Sequence, residues 1–288
     1  MAIRKFMLPL SSPESGEVAL HAALLLTARA RAHLHVIHIR PAIDEIAPLA
    51  GEGISGVMFD RFVTESDRER NTQVDRLRAM FEAAAARHGI PVQEARFGNE
   101  EPSASFTVLE GREEVMVAHQ ARVADFTIVP HPAAGEDVAS ATALHAVLFD
   151  SGRPVLLAPL TRPSHIGRRI AVAWNGLSNA SAALGSAMPL IRTAEAVRVL
   201  TAPEYFRNGP SAEEVVSYIA YHGVAADIAG FAPIDREVGA GLLRAAADFQ
   251  ADLMCMGAYS SSRLRQLILG GVTRYVLENA DLPVLMNR

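Results

Sequence analysis

The sequence predicts an α/β fold: two parallel-sheet domains of similar size that arose by internal duplication of one strand–helix unit. Three observations predict it. Short apolar runs of strand length alternate with amphipathic helical stretches along the whole chain. RVADFTIVP at 122–130 recurs as FQADLMCMG at 249–257, and SGRPVLLAP at 151–159 recurs as ADLPVLMNR at 280–288, at separations of 127 and 129 residues. Finally, 288 residues, half of them hydrophobic, suffice for two ordinary cores.

In the first half, Ile3–Leu10 (IRKFMLPL) reads as a buried strand and Glu14–Ala32 as a helix. His33–Ile39 is the second strand, Phe59–His88 a long helix and Pro91–Phe97 the third strand. A helix over Glu110–Val123, a strand over Asp125–Pro130, a helix over Val138–Asp150 and a strand over Pro154–Pro159 complete it. The polar segment Leu160–Arg168 is the linker, which sets domains at 1–160 and 161–288. The second half repeats the order: strands at Arg169–Trp174, Ala196–Thr201, Ala225–Phe231, Asp252–Gly257 and Pro283–Met286. Helices at Ser178–Thr193, Ser211–His222, Glu237–Gln250 and Arg263–Asn279 separate them. Apolar strands alternating with helices imply right-handed crossovers and a sheet covered on both faces.

Composition removes several function classes. A net charge of −5 and few aromatic residues speak against nucleic acid as a partner. The single cysteine, Cys255, excludes disulfides and cysteine metal sites within one chain, and its apolar neighbours make it a buried hydrophobe. MAIRKFMLPLSS lacks the apolar length of a signal peptide, and no apolar run reaches about 18 residues, so no membrane partner and a cytoplasmic location are expected. Lys5 is the one lysine against 26 arginines. A Walker-type loop needs Lys beside Ser or Thr, which is absent, and Schiff-base chemistry would have to use Lys5.

The second half holds a gapped series of small residues: Gly257, Ser260, Gly270 and Gly271, followed by Val272 and Thr273. Its first strand ends in Ala173-Trp174-Asn175-Gly176. With ADLMCMGAYS and LILGGVTRYVLENADLPVLM, this pattern resembles the universal stress protein family in its tandem two-domain form, over nearly the whole chain. The resemblance implies Rossmann-like (adenine nucleotide alpha hydrolase-like) domains packed as an internal pseudo-dimer, and leaves a homodimer and protein partners open. It implies ATP held by G-x2-G-x9-G-[ST], with Gly257, Ser260, Gly270 and Gly271 at the phosphates. It also places Asn175, where ATP-binding members carry Asp, near the ribose, and the main chain at Thr201 near adenine. Backbone N–H groups at a strand-to-helix turn can cradle a polyphosphate. Ser260 departs from Gly, Gly271 from Ser or Thr, and Asn175 brings no charge to a magnesium ion. No general base is evident, so hydrolysis would be slow or absent.

The first half departs further. Pro130-His131-Pro132 stands where Gly-x2-Gly would lie, and proline removes the N–H donors a cradle needs. Pro9-Leu10-Ser11-Ser12 has no Asp, so this half reads as a copy without a nucleotide site. GEGISG at 51–56 fits G-x-G-x-x-G but follows no strand directly, and reads as a loop. His33 and His35 share one strand face and His38 the other, without the convergence of a metal site. Ser260–Ser262 read as a helix N-cap rather than a nucleophile, with Arg263 and Arg265 in the first turn where an anion would relieve them. Glu100-Glu101 and Glu113-Glu114 read as solvated faces. Two other functional classes remain: a nucleotide-free stress-linked interaction scaffold, and a flavoprotein-like dinucleotide enzyme on a related fold.

Overall fold

The computed structural model of the chain describes residues 2–41, 56–95, 101–133, 138–259 and 271–288. Strands β1 (Lys5–Pro9), β2 (His33–Arg40), β3 (Ser103–Glu110), β4 (Phe126–Val129) and β5 (Val155–Leu157) come from the first half. Helices α1 (Pro13–Ala30), α2 (Gly56–Arg87), α3 (Glu113–Ala121) and α4 (Val138–Ala146) separate them, and α4 continues into a π-turn over Val147–Ser151. The second half follows as β6 (Arg169–Ala173), α5 (Ser178–Ile191), β7 (Ala196–Thr201), α6 (Ala212–Tyr221) and β8 (Asp227–Gly230). It ends with α7 (Val238–Asp248), β9 (Leu253–Gly257), α8 (Gly271–Asn279) and β10 (Val284–Asn287).

All ten strands form one sheet in the order β3-β2-β1-β4-β5-β10-β9-β6-β7-β8. Each half contributes five parallel strands in the same order, read outward from the middle. Among the described residues the one antiparallel ladder joins the last strand of each half, pairing Leu157 with Val284, Leu156 with Leu285 and Val155 with Met286. Both strands are wholly apolar at these positions, so the seam lies inside the core. One buried cluster covers each sheet face, and each draws side chains from both halves. At roughly 25 cal/mol per Å² of apolar surface removed from water, that continuity binds the halves together.

Local signals fix the elements. Ser12 caps α1 by accepting from the Ser15 N–H at 3.2 Å, Pro13 stands in the first turn, and Arg31 ends the helix at φ 51°. Ser211 and Glu214 close a reciprocal capping box on α6. Before β4, Asp125 Oδ2 accepts the amides of Arg4 and Lys5 at 2.7 and 2.9 Å. Before β9, Asp252 accepts those of Gly167, Arg168 and Arg169 at 2.8 to 3.0 Å. These equivalent carboxylates pin the starts of β1 and β6. Residues between β5 and β6 are clasped by α1: Arg29 donates to the carbonyls of Ile166 and Gly167, and His21 bonds the carbonyl of Pro163 at 2.9 Å; Arg29 also reaches the Thr193 carbonyl beyond α5.

One expected element is displaced. The third strand lies at Ser103–Glu110, whereas the expected span keeps only an isolated parallel bridge from Val92 to Ala104. SASFTVLE offers eight residues that pair in register with all of β2. The helix after it starts at Glu113 rather than 110, because Gly111 turns the chain at φ 136°. Between the second and third strands, α2 has 32 residues where its counterpart α6 has 10.

Candidate functional site

In a doubly wound sheet, the strand order reverses at one point and leaves a crevice beyond the carboxyl ends of the two strands there. In the second half those strands are β6 and β9, paired from Ile170–Leu253 to Ala173–Met256. Asn175 follows β6, Gly257 ends β9 and Thr201 ends β7, so three of the expected residues come together at this crevice. Gly271 opens α8. Ser260 and Gly270 lie outside the described residues, as do Ser261, Ser262, Arg263 and Arg265, and most of the 51–56 segment.

The side chains at the crevice are already engaged. Asn175 is 8% exposed, and its Oδ1 accepts the Leu177 N–H at 3.1 Å, a local turn that leads into α5. Its backbone carbonyl accepts the Arg207 N–H at 2.9 Å. The Thr201 carbonyl accepts the Phe231 N–H at 3.0 Å. Gly257 is buried, and a Cβ there would stand 2.5 Å from Ala180 N and 2.7 Å from the Asn179 amide carbon. Its missing side chain therefore lets the amino end of α5 press onto β9. Asn179 completes that contact by donating to the Ala258 carbonyl at 3.0 Å. Gly271, by contrast, is exposed, and no described atom lies within 4 Å of where its Cβ would be.

A strap of residues 202–211 lies over the β6 turn. Gly176 adopts φ 81° and Gly209 φ 119°, and a Cβ on either would stand 2.2 Å from the other segment's backbone oxygen. Trp174, the one tryptophan of the chain, donates its indole N–H to the Pro210 carbonyl at 2.8 Å. Tyr205 is buried against Phe231, and its hydroxyl has no partner among the described residues. Burial raises the Tyr205 phenol well above its ordinary value. Sequence reasoning missed this strap, although Asn-Gly recurs at 175–176 and 208–209 and marks a tight turn each time.

Beyond β9, Tyr259 sits at φ 53° and packs at a tilt against Phe149 of the first half, with ring centroids 4.8 Å apart. The Arg288 guanidinium covers the same Phe149 ring at 4.9 Å. Burial pushes the Tyr259 phenol up to about 12. Cys255 is buried as expected, its thiol pushed up to about 12 by desolvation, which makes it an inert core residue.

The first half's crevice, beyond β1 and β4, is built differently. Pro130 and Pro132 flank His131, which is 1% exposed. Its Nδ1 accepts the Ala133 N–H at 3.1 Å, so the ring hydrogen stands on Nε2, which has no partner among the described residues. His38 is buried and bonds the Leu10 carbonyl at 2.8 Å. No group of three or more metal-ligating side chains is found among the described residues. No described helix is long and apolar enough to cross a membrane.

Residues 167–288 match the model of the universal stress protein family. A universal stress protein from Archaeoglobus fulgidus DSM 4304 superposes over 99% of this chain and 98% of its own, with 15% identity and a TM-score of 0.68. A putative universal stress protein from Pseudomonas aeruginosa UCBPP-PA14 covers 99% and 93%, with 15% identity and a TM-score of 0.53. A functionally unknown protein from Pseudomonas aeruginosa PAO1 covers 99% and 92%, with 14% identity and a TM-score of 0.52. At these identities the likeness speaks for the fold. No curated protein matches the chain in sequence.

Proposed function

We propose that this chain, a universal stress protein in tandem form, binds one adenine nucleotide, ATP, at the crevice of its second half, with little or no hydrolysis. The observation that supports this most is the convergence of Asn175, Thr201 and Gly257 at the carboxyl ends of three neighbouring strands. There the backbone at Thr201 would meet adenine and Asn175 the ribose. The phosphates would lie toward the amino end of α8 at Gly271, with Ser260 and Gly270 from the intervening segment. A helix amino terminus favours anions, and no described atom lies within 4 Å of where a Gly271 Cβ would stand. Asn175 is neutral, so any magnesium ion would depend on the phosphates for charge. The strap at 202–211 must shift for adenine to enter, since Tyr205 and Phe231 fill the space beside β7. The division at 160–161 assigns this site to the second domain.

Trp174 makes the proposal testable without a label. ATP should raise the melting temperature and change Trp174 emission as the bond to Pro210 opens. Gly271→Val should abolish both responses while leaving the fold intact, because no described atom lies within 4 Å of its Cβ position. Gly257 is unsuitable for this test, because its substitution damages packing. Turnover above about one per second would contradict the absence of a general base.

A second reading is favoured by a specific observation. Asn175 Oδ1, the carbonyls of Asn175 and Thr201, and the Gly257 surface are all occupied within the chain. If ATP, ADP and AMP all leave the melt and the Trp174 emission unchanged, the protein is a nucleotide-free interaction scaffold.

A further inference from the structure

The two halves differ at the outer corner of the sheet, near the amino ends of the first three strands of each half. In the second half this corner is closed. Phe249 lies between two guanidiniums, Arg169 and Arg198, each 4.5 Å from the ring centroid. Arg198 makes a bidentate ion pair with Asp227 at 2.8 and 2.6 Å, and Arg169 donates to the Phe249 carbonyl at 2.9 Å. Every cation there has an acceptor.

The same positions in the first half carry other residues. Lys5 stands for Arg169, His35 for Arg198 and Ser105 for Asp227, by strand position and register. By the repeat at 122–130 and 249–257, Arg122 stands for Phe249, and its guanidinium is turned away to the Asp150 carbonyl at 3.3 and 3.1 Å. What remains is a polar ladder on one sheet face. His33 bonds the hydroxyls of Ser103 and Ser105 at 2.9 and 3.0 Å through its two ring nitrogens. His35 Nε2 bonds the Thr107 hydroxyl at 3.1 Å, which leaves its Nδ1 free among the described residues. The Lys5 ammonium is half-buried beside this ladder and has no hydrogen bond or ion pair among the described residues. The carboxylate of Asp125 draws on it from a distance, but its Oδ2 is bonded by two backbone amides. Glu94 acts on His33 from the sheet edge.

A partly desolvated ammonium without a direct ion pair is costly: Asp125 acts on Lys5 only from a distance, and the second half places a carboxylate, Asp227, where this corner has Ser105. We propose that the Lys5–His33–His35 corner, with its Ser103, Ser105 and Thr107 hydroxyls, binds a small oxyanion, a phosphate or carboxylate group. The anion takes the place that the Asp227 carboxylate holds in the second half. Lys5 supplies the charge, and a Thr107 hydroxyl that donates to His35 Nε2 leaves His35 Nδ1–H to donate to the ligand. This site is separate from the nucleotide crevice, and neither proposal depends on the other.

The chain's histidine ring signals provide the test. Inorganic phosphate and citrate are titrated separately into the full chain, with sodium chloride matching ionic strength. The expected result is a saturable change at His33 and His35 with one or both probes. The His35 titration midpoint should rise from about 4 to about 5 or above, as a bound anion favours the charged ring. Lys5→Met should abolish it, and Lys5→Arg should retain it. Ser105→Asp should also abolish binding by restoring an internal counter-ion, and should raise the melting temperature. A response to phosphate alone or citrate alone identifies the oxyanion type. No saturable change with either probe in wild-type protein, or an unchanged response in Lys5→Met, overturns the proposal.

Discussion

Beyond β6 the chain turns through Asn175 and Gly176 and is held down by Arg207, Gly209 and Pro210. Beyond β1 it runs through Ser11 and Ser12 into Pro13, and α1 is capped by Ser12 itself. Beyond β9 stands Gly257, pressed against α5; beyond β4 stand two prolines around a buried imidazole. The strand order is common to both crevices, but among the described residues only the second carries glycine, Gly176 and Gly257, at these strand ends. Strand order and the residues at the strand ends are thus separable properties of one repeated unit: the two halves share the first and differ in the second. The outer corners differ in the opposite sense: the second half closes its corner with Phe249 and the Arg198–Asp227 ion pair, and the first half leaves Lys5 with no direct ion pair among the described residues.

The sharpest way to break this comparison is at the glycines. Gly257→Val should destabilise the protein by about 3 kcal/mol or more, because the new side chain meets Ala180 and Asn179 backbone. Gly176→Ala should cost about 2–3 kcal/mol, from positive φ and the clash with Asn208, with altered Trp174 emission. Urea unfolding measures both. Costs below about 0.5 kcal/mol would mean that the α5 contact and the strap do not form in solution.

The two carboxylates that pin the first strands offer a matched pair. Asp252→Ala removes an acceptor for three amides and should cost about 3 kcal/mol, whereas Asp125→Ala removes one for two amides and should cost about 2 kcal/mol. A reversed order in equilibrium unfolding would show that the halves are not pinned equivalently. Of comparable size is the nucleotide response, for ATP at 100 times its dissociation constant should stabilise the fold by about 2.7 kcal/mol. That gain should vanish in Gly271→Val and persist in a first-half control, His131→Gln.

The smallest expected effect is on pH dependence. Burial, the Lys5 charge and His33 push the His35 imidazole down to about 4 from an ordinary 6.5. The unfolded chain therefore binds more protons than the folded one between those values. This contribution is fully present above about pH 6.5 and is lost as pH falls toward about 4. His35→Gln should flatten the stability profile in that window. An unchanged profile would place the acid sensitivity elsewhere, among His33, His38, His88 and His131, which burial also lowers.

Much of this was legible in the sequence. Alternating apolar strands and helices, together with the recurring ADF and ADL segments, predicted two parallel units, because period and burial follow directly from residue order. The nine strands at 5–9, 33–40, 126–129, 155–157 and in the second half fall close to their expected spans. The third strand did not, because its pairing with β2 is decided by register across the sheet and not by local apolarity. The resemblance singled out Asn175, Thr201 and Gly257, which the structure brings to one crevice, but it gave no sign of the strap beside them. A contact between Gly176 and Gly209 joins segments more than thirty residues apart, with only two Asn-Gly pairs to announce it.

By itself the sequence determined the α/β class, the duplication, the burial of Cys255 and the loss of cradle donors at Pro130 and Pro132. These depend on composition, periodicity and the covalent limits of proline, which are local properties of the chain. Tertiary structure alone decided that the halves join through β5 and β10 into one sheet, that Gly257 serves the packing of α5, and that Lys5 stands beside two imidazoles with no direct ion pair among the described residues. Each is a matter of which distant groups meet, and that is set by the global packing of ten strands rather than by any stretch of sequence.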